Sequence, residues 1–197
     1  MSGTGKEARS ASEPLRFACV VRDAREADLA AARDIYAHYV STSLATFEEA
    51  PPTPEEMLAR RKKSLDAGLP YLVAEVRGAI IGFAYAAPYH ARPAYRFTVE
   101  DSVYVADGLT GRGAGSAMLG ELISRCERGP WRQMIAIIGD SANAASLALH
   151  RRFGFALAGS LKSVGFKFGR WVDTPILQRG LGLGDRSEPR VGSSGEG

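Results

Sequence analysis

Residues 98–115 read Thr-Val-Glu-Asp-Ser-Val-Tyr-Val-Ala-Asp-Gly-Leu-Thr-Gly-Arg-Gly-Ala-Gly, a strand-forming run that carries Glu100 and ends in a glycine-rich turn. Glycine at 111, 113 and 115 lets the turn adopt positive φ, so the backbone amides of Gly111, Arg112, Gly113, Ala114 and Gly115 can converge on an anion. The helical stretch that starts near Ser116 adds unpaired amides and a positive dipole end. The combination is a pyrophosphate cradle beside a candidate general base. It is not an ATP-hydrolysing P-loop, because no Gly-Lys-Ser/Thr follows. It is not a dinucleotide fold either, since no acidic residue closes a second strand about 20 residues later.

A second set of polar residues sits on the stretch Asn143 to Phe155. Asn143, Ser146 and His150 fall near one helical face at spacings of three and four. Asn143 also suits a helix N-cap. Glu100 lies in a mostly apolar strand, where partial burial raises a carboxyl pKa toward that of a useful base; the competing reading pairs it with Arg92 or Arg96. Asp101 points to the opposite face of a regular strand and reads as structural.

These residues need a scaffold, and the rest of the chain supplies its signals. Phe17–Val21 reads as a strand, and Asp28–Val40 as an amphipathic helix with Leu29, Ala32, Tyr36 and Tyr39 on one stripe. Thr53-Pro-Glu-Glu56 is a capping box with proline at the first helical position, and the helix it opens stops at Gly68. Two strand-like runs flank Arg77-Gly78, a hairpin signal. Further strands are expected at Met134–Ile138, Phe155–Leu161 and Trp171–Gln178. The order β-α-α-β-β-β-α-β-α-β-β implies an α/β chain with a mixed sheet covered by helices on both faces. Residues 1–14 and 182–197 lack periodicity and read as disordered tails around one domain, 15–181.

Composition narrows the class further. With 197 residues, 45% apolar and 24% charged, the chain suits a single core. No apolar stretch approaches ~18 residues and no signal pattern opens the chain, so the cytoplasm is the default expectation, with no membrane partner. A net charge of +3 with scattered basic residues argues against nucleic acid. The two cysteines, Cys19 and Cys126, have no metal-binding spacing and read as buried thiols.

The glycine turn and the Asn143 helix together resemble the GNAT superfamily of acyl-CoA N-acyltransferases, whose cofactor loop reads Gln/Arg-x-x-Gly-x-Gly/Ala and whose next helix carries Asn-x-x-Ala/Ser-x-x-Leu-Tyr and ends at Gly-Phe. Thr110 departs from the first loop position. Thr46-Phe-Glu48 with Pro51-Pro-Thr-Pro54, Arg92-Pro-Ala-Tyr95 with Thr98-Val-Glu100, and Gly165-Phe-Lys167 through Trp171-Val-Asp173 are similar to the phosphinothricin and methionine sulfoximine N-acetyltransferase branch, over about Phe17 to Leu181.

The resemblance implies a mostly antiparallel sheet, splayed where the cofactor enters, with acetyl-CoA as cosubstrate and no metal. Val103 and Val105 would pair with the pantetheine arm, the Val103 N–H would polarise the thioester carbonyl, and Asn143 and Ser146 would line the arm. His150 stands where many members have the tyrosine that protonates the leaving thiolate. Phe47, His90, Arg92, Tyr95 and Lys167 would surround an anionic amino acid analogue, with His90 in place of a lysine found in some members. The implied reaction is direct attack of the α-amino group of methionine sulfoximine, methionine sulfone or phosphinothricin on the thioester, by a homodimer. Acetylation of another amine, such as a peptide N-terminus or polyamine, and a non-catalytic CoA-binding regulator are the alternatives.

Overall fold

A computed structural model describes residues 18–189. The expected element order is present: β1 (Val20–Asp23), α1 (Leu29–Thr42), α2 (Pro54–Asp66), β2 (Tyr71–Val76), β3 (Ala79–Pro88), β4 (Thr98–Val105), α3 (Ala114–Glu127), β5 (Gln133–Ile137), α4 (Ala144–Arg152), β6 (Ala156–Lys167) and β7 (Arg170–Gly180). Short 3₁₀ turns cover Glu26–Asp28 and Pro93–Tyr95. The seven strands form one sheet in the order β1-β2-β3-β4-β5-β7-β6. Every neighbouring pair is antiparallel except β4 and β5.

Local sequence accounts for several boundaries. Thr53 accepts from the Glu56 amide at 3.2 Å while Glu56 accepts from the Thr53 amide at 2.7 Å, so both ends of the capping box close. Arg77 and Gly78 take φ of 50° and 84°, the left-handed pair that a two-residue hairpin requires. Two apolar layers flank the sheet. Tyr36, Val40, Met57, Tyr71 and Phe83 fill the α1/α2 side, and Met118, Leu119, Leu122, Met134 and Leu177 fill the α3 side. Leu147 and Leu149 pack α4 onto the latter layer.

Three boundaries differ from the sequence reading. The first strand starts at Val20, because Arg22 is fixed by both Asp28 and Glu75 and the pairing with β2 begins at Val20 opposite Glu75. Cys19 therefore precedes the strand, and Phe17 lies outside the described residues. Helix α3 starts at Ala114, two residues early, since Gly113 at φ +102° already forms its N-cap. Strand β6 runs on to Lys167, paired with β7 apart from irregularities after Leu157 and between Leu161 and Gly165. The segment assigned to the C-terminal tail opens with ordered turns: the Arg132 guanidinium donates to Ser187 O at 2.7 Å, and the Gly184 amide to Leu181 O at 2.9 Å.

What positions the site is the parting of β4 from β5. Their parallel pairing covers only Thr98–Asp101 against Gln133–Ala136. Beyond Asp101 the two strands separate, as the splayed sheet expected from the resemblance requires.

Candidate active site

Strand β4 has two edges and two faces, and each carries a different part of the site. The Ala106 amide donates to Ile81 O, and the Tyr89 amide to Thr98 O, so the even-numbered residues of β4 bond to β3. By alternation the backbone groups of Val99, Asp101, Val103 and Val105 face β5. Val99 and Asp101 lie within the β5 pairing; Val103 and Val105 face the gap. Tyr39 reaches across from α1 and donates to Val105 O at 2.6 Å. Val105 therefore offers the gap its amide, not its carbonyl, a correction to the expectation that both groups were open.

The gap opens into a cavity of about 820 Å³ lined by Val103, Val105, the Thr110–Gly113 turn, Asn143, Ser146 and His150. At its mouth lies the start of α3. Ala117 makes the first helical hydrogen bond, to Gly113 O at 3.0 Å, which leaves the amides of Ala114, Gly115 and Ser116 without helical acceptors. Gly113 has open space where a Cβ would sit, so its requirement is conformational, not steric. Ala114 is buried in the core and can contribute only its backbone amide. Gly115 belongs to the helix and lies close to Leu149 and Val105. This amide-lined, dipole-positive mouth with a long groove behind it fits a pyrophosphate joined to an extended amide-rich arm, as in acetyl-CoA.

The Asn143 helix is built differently from a simple polar stripe. Asn143 Oδ1 accepts from the Ser146 amide at 3.1 Å, making Asn143 the N-cap of α4 while it lines the groove. His150 turns inward and is only 3% exposed. Its Nδ1 lies 2.8 Å from Ser146 O, a carbonyl that can only accept, so Nδ1 carries a proton. Nε2 lies 3.0 Å from Asp101 Oδ2. Burial disfavours the charged imidazolium, yet the Asp101 hydrogen bond and charge outweigh it and raise the His150 pKa. Asp101, read from sequence as structural, is thus the partner of a candidate catalytic residue, and its Oδ1 is buried without a hydrogen bond among the described residues.

Glu100 projects from the other face of β4, toward the α1/α2 side. Its carboxyl is half-buried, and burial together with the neighbouring Asp101 charge pushes its pKa up to about 7. Neither Arg92 nor Arg96 pairs with it: Arg96 donates to Pro93 O at 3.1 Å and lies over the Phe97 ring. Glu100 stands on β4 opposite Ala87, at the root of the loop that carries the expected acceptor residues. In that loop Tyr89, His90 and Tyr95 form a ring cluster with centroids 4.0 to 5.8 Å apart. Arg92 is exposed; its carbonyl accepts from the Tyr95 amide at 2.9 Å, while its guanidinium makes no hydrogen bond or ion pair among the described residues.

Phe47 and Lys167 meet from the other side. Phe47 is partly exposed, with its ring against Gly165. Lys167, expected to touch the acceptor, is 3% exposed and donates instead to Ser43 O and Thr46 O at 2.9 and 2.8 Å. Sequence reasoning placed Phe47 at the acceptor but missed what Tyr39 and Asp101 bond to and how Lys167 anchors this loop, since each acts through a partner far along the chain. Among the described residues no group of three His, Cys, Asp or Glu side chains is arranged to hold a metal.

Comparison with known proteins agrees with this geometry. The acetyltransferase (GNAT) domain family matches residues 21–176. The chain belongs to the GNAT acetyltransferase family. It is 59% identical over 177 residues to the phosphinothricin N-acetyltransferase of Alcaligenes faecalis, covering 90% of each chain. It is 40% identical to the L-methionine sulfoximine/L-methionine sulfone acetyltransferase of Pseudomonas paraeruginosa, over 82% of this chain and 94% of that one. Among solved structures, a GNAT superfamily phosphinothricin acetyltransferase from Sinorhizobium meliloti in complex with AcCoA superposes with a TM-score of 0.86 at 47% identity, covering 89% of this chain and 95% of that chain. This GNAT chain has a mixed, mostly antiparallel sheet opened between β4 and β5, in a fold that matches the Sinorhizobium meliloti structure.

Proposed function

We propose that this GNAT enzyme transfers the acetyl group of acetyl-CoA to the α-amino group of a small anionic amino acid analogue of the phosphinothricin or methionine sulfoximine type. The observation that carries the reading is Glu100: a half-buried carboxyl with no cationic partner among the described residues, its pKa raised to about 7, on the strand that borders the cofactor gap. A base in that state accepts a proton from an ammonium near neutral pH, directly or through one water, and frees the amine for attack. The relatives' substrates support the choice of acceptor.

Acetyl-CoA supplies the activated acyl thioester, and the chain's own groups do the rest. The amides at the start of α3 hold the pyrophosphate, the Val103 and Val105 amides hold the arm, and the Val103 N–H faces the developing oxyanion. Asn143 and Ser146 border the arm. His150, protonated at Nδ1 and held against Asp101, lines the same groove and would supply the proton to the leaving thiolate. Arg92 presents an uncommitted guanidinium for the acceptor's acidic group, a match for a bidentate oxyanion. His90 and Tyr95 wall the same loop.

The enzyme acts as a homodimer in the cytoplasm, where acetyl-CoA is supplied. Supporting the dimer, β6 is the last strand of the sheet, paired with β7 alone. Leu157, Leu161, Val164, Phe166 and Trp171 on that hairpin are all exposed, an apolar edge that an isolated subunit would leave open.

The test is free-thiol release from acetyl-CoA across methionine sulfoximine, methionine sulfone, phosphinothricin, spermidine and short peptides. Turnover confined to the amino acid analogues is the expected result. A preference for spermidine or peptides overturns the acceptor assignment, and binding of acetyl-CoA without turnover of any amine overturns the enzyme reading.

A further inference from the structure

The loop between α1 and α2 has no repeating structure of its own, yet it is fixed at every residue from Ser43 to Glu48. Ser43 O and Thr46 O accept from Lys167. The Thr46 and Tyr36 hydroxyls share a hydrogen bond of 2.8 Å. Arg60 grips both Glu48 oxygens, at 2.8 and 3.0 Å. Leu44 and Ala45 cross the end of β5 so closely that a Cβ on Gly139 would come within 2.2 Å of Leu44 O. Phe47 covers Gly165 of the β6–β7 hairpin, where a Cβ would lie 2.7 Å from the ring.

Lys167 is the piece of this arrangement that burial makes costly. Its ammonium has no carboxylate within ion-pair distance among the described residues, and desolvation lowers its pKa even though Glu49 and Glu48 lie near enough to oppose the shift. Two carbonyls and the face of Phe168, 4.9 Å away, surround it. The carbonyls take two of its N–H bonds and the ring face covers the ammonium, so at 3% exposure it is not presented to a substrate. A buried cation satisfied by loop carbonyls holds that loop in one place, because any loop movement strips its hydrogen bonds inside a poorly solvated site. The loop it holds borders the chemistry: Ala45 lines the same cavity as Val103, Asn143 and His150.

We propose that Lys167 is a positioning residue for the acceptor. By holding the carbonyls of Ser43 and Thr46 it seats the Ala45–Phe47 wall beside the gap between β4 and β5, and Phe47 in that wall sets how long an acceptor side chain fits. The proposal rests on the amino acid acetyltransferase reading.

Two variants perturb the wall in different ways. Lys167→Met keeps the length and apolar stem and removes the ammonium. Gly165→Ala leaves the loop bonds intact and displaces the far end of the Phe47 ring, which can swing aside. Kinetics at saturating acetyl-CoA are compared on methionine sulfone and on its S-ethyl homologue, one methylene longer, alongside calorimetric titration of acetyl-CoA and thermal melting. Displacing a positioning wall by about 1 Å can cost on the order of 100-fold, so Lys167→Met is expected to raise the acceptor KM at least about 10-fold. Acetyl-CoA affinity should stay at the wild-type value, and both variants should change the preference between the two acceptors.

If Lys167→Met does not fold, the changed preference in Gly165→Ala carries the wall while Lys167→Gln repeats the KM measurement. The proposal is overturned if folded variants keep the wild-type acceptor KM and preference, or if melting temperature falls and nothing else moves. Failure of wild type to acetylate either sulfone would instead remove the reading beneath it.

Discussion

Glu100 combines a base's environment with a cost to the fold, and the two can be separated by one substitution. An ordinary glutamate has a pKa of ~4.3, and in the folded chain Glu100 titrates at about 7 because it is half-buried beside Asp101. Between those values the unfolded chain gives up the proton first, so the native state loses stability as pH rises through the window and does not regain it above. Catalysis runs the other way, since only the carboxylate accepts a proton. Glu100→Gln is therefore expected to lower turnover by about 10²-fold or more and to raise the melting temperature at pH 8, with acetyl-CoA affinity unchanged. The wild-type kcat/KM should climb through pH ~7 toward a plateau. Paired pH-rate and melting curves check both halves; a variant that loses activity and stability together would mark Glu100 as a structural partner instead.

The same residue shows where sequence reading reaches and where it stops. Glu100 was legible because its strand and the turn behind it are contiguous. The Asp101–His150 contact was not, since the two are 49 positions apart and each has a bland local context. The resemblance assigns Lys167 to the acceptor, and its two carbonyl partners show that the ammonium is committed elsewhere.

At the level of elements, the devices written into a few consecutive residues were readable: the Thr53 capping box, the Arg77-Gly78 hairpin and the glycine turn. Boundaries set by distant partners were displaced, as with β1, whose start depends on Arg22 meeting Glu75 and Asp28. The length of β6 was hidden for a related reason, because an exposed edge strand lacks the alternation that marks a half-buried one. The turn before α3 allows a direct test. Gly113 sits at φ +102°, where a β-branched side chain is strained even though the space beside it is open. Gly113→Val should tilt the first amides of α3 and cost on the order of 1–3 kcal/mol locally, weakening acetyl-CoA at least about 10-fold by calorimetric titration. Far-ultraviolet circular dichroism should be unaltered. Wild-type affinity in that variant would show that the pyrophosphate is held elsewhere.

For the whole molecule, the open edge of β6 makes association the expectation. Leu161→Lys with Val164→Lys places two charges on that edge without touching the groove. Wild type should run at twice the mass of one chain by light scattering, and the double variant should run as single chains. A wild-type protein that is already monomeric at micromolar concentration would remove the dimer from the reading.

Strand β4 also acts as a partition. Asp101 and His150 stand in one room, the groove proposed for the cofactor; Glu100 stands in another, proposed for the acceptor; and the α1–α2 loop, whose Ala45 lines the groove, is a wall they share beside the parting of β4 from β5. Changes on the acceptor side need not disturb the furnishings of the other. A fold divided in this way can trade one amine for another by small substitutions in a single room, while the machinery that grips the thioester donor is inherited whole.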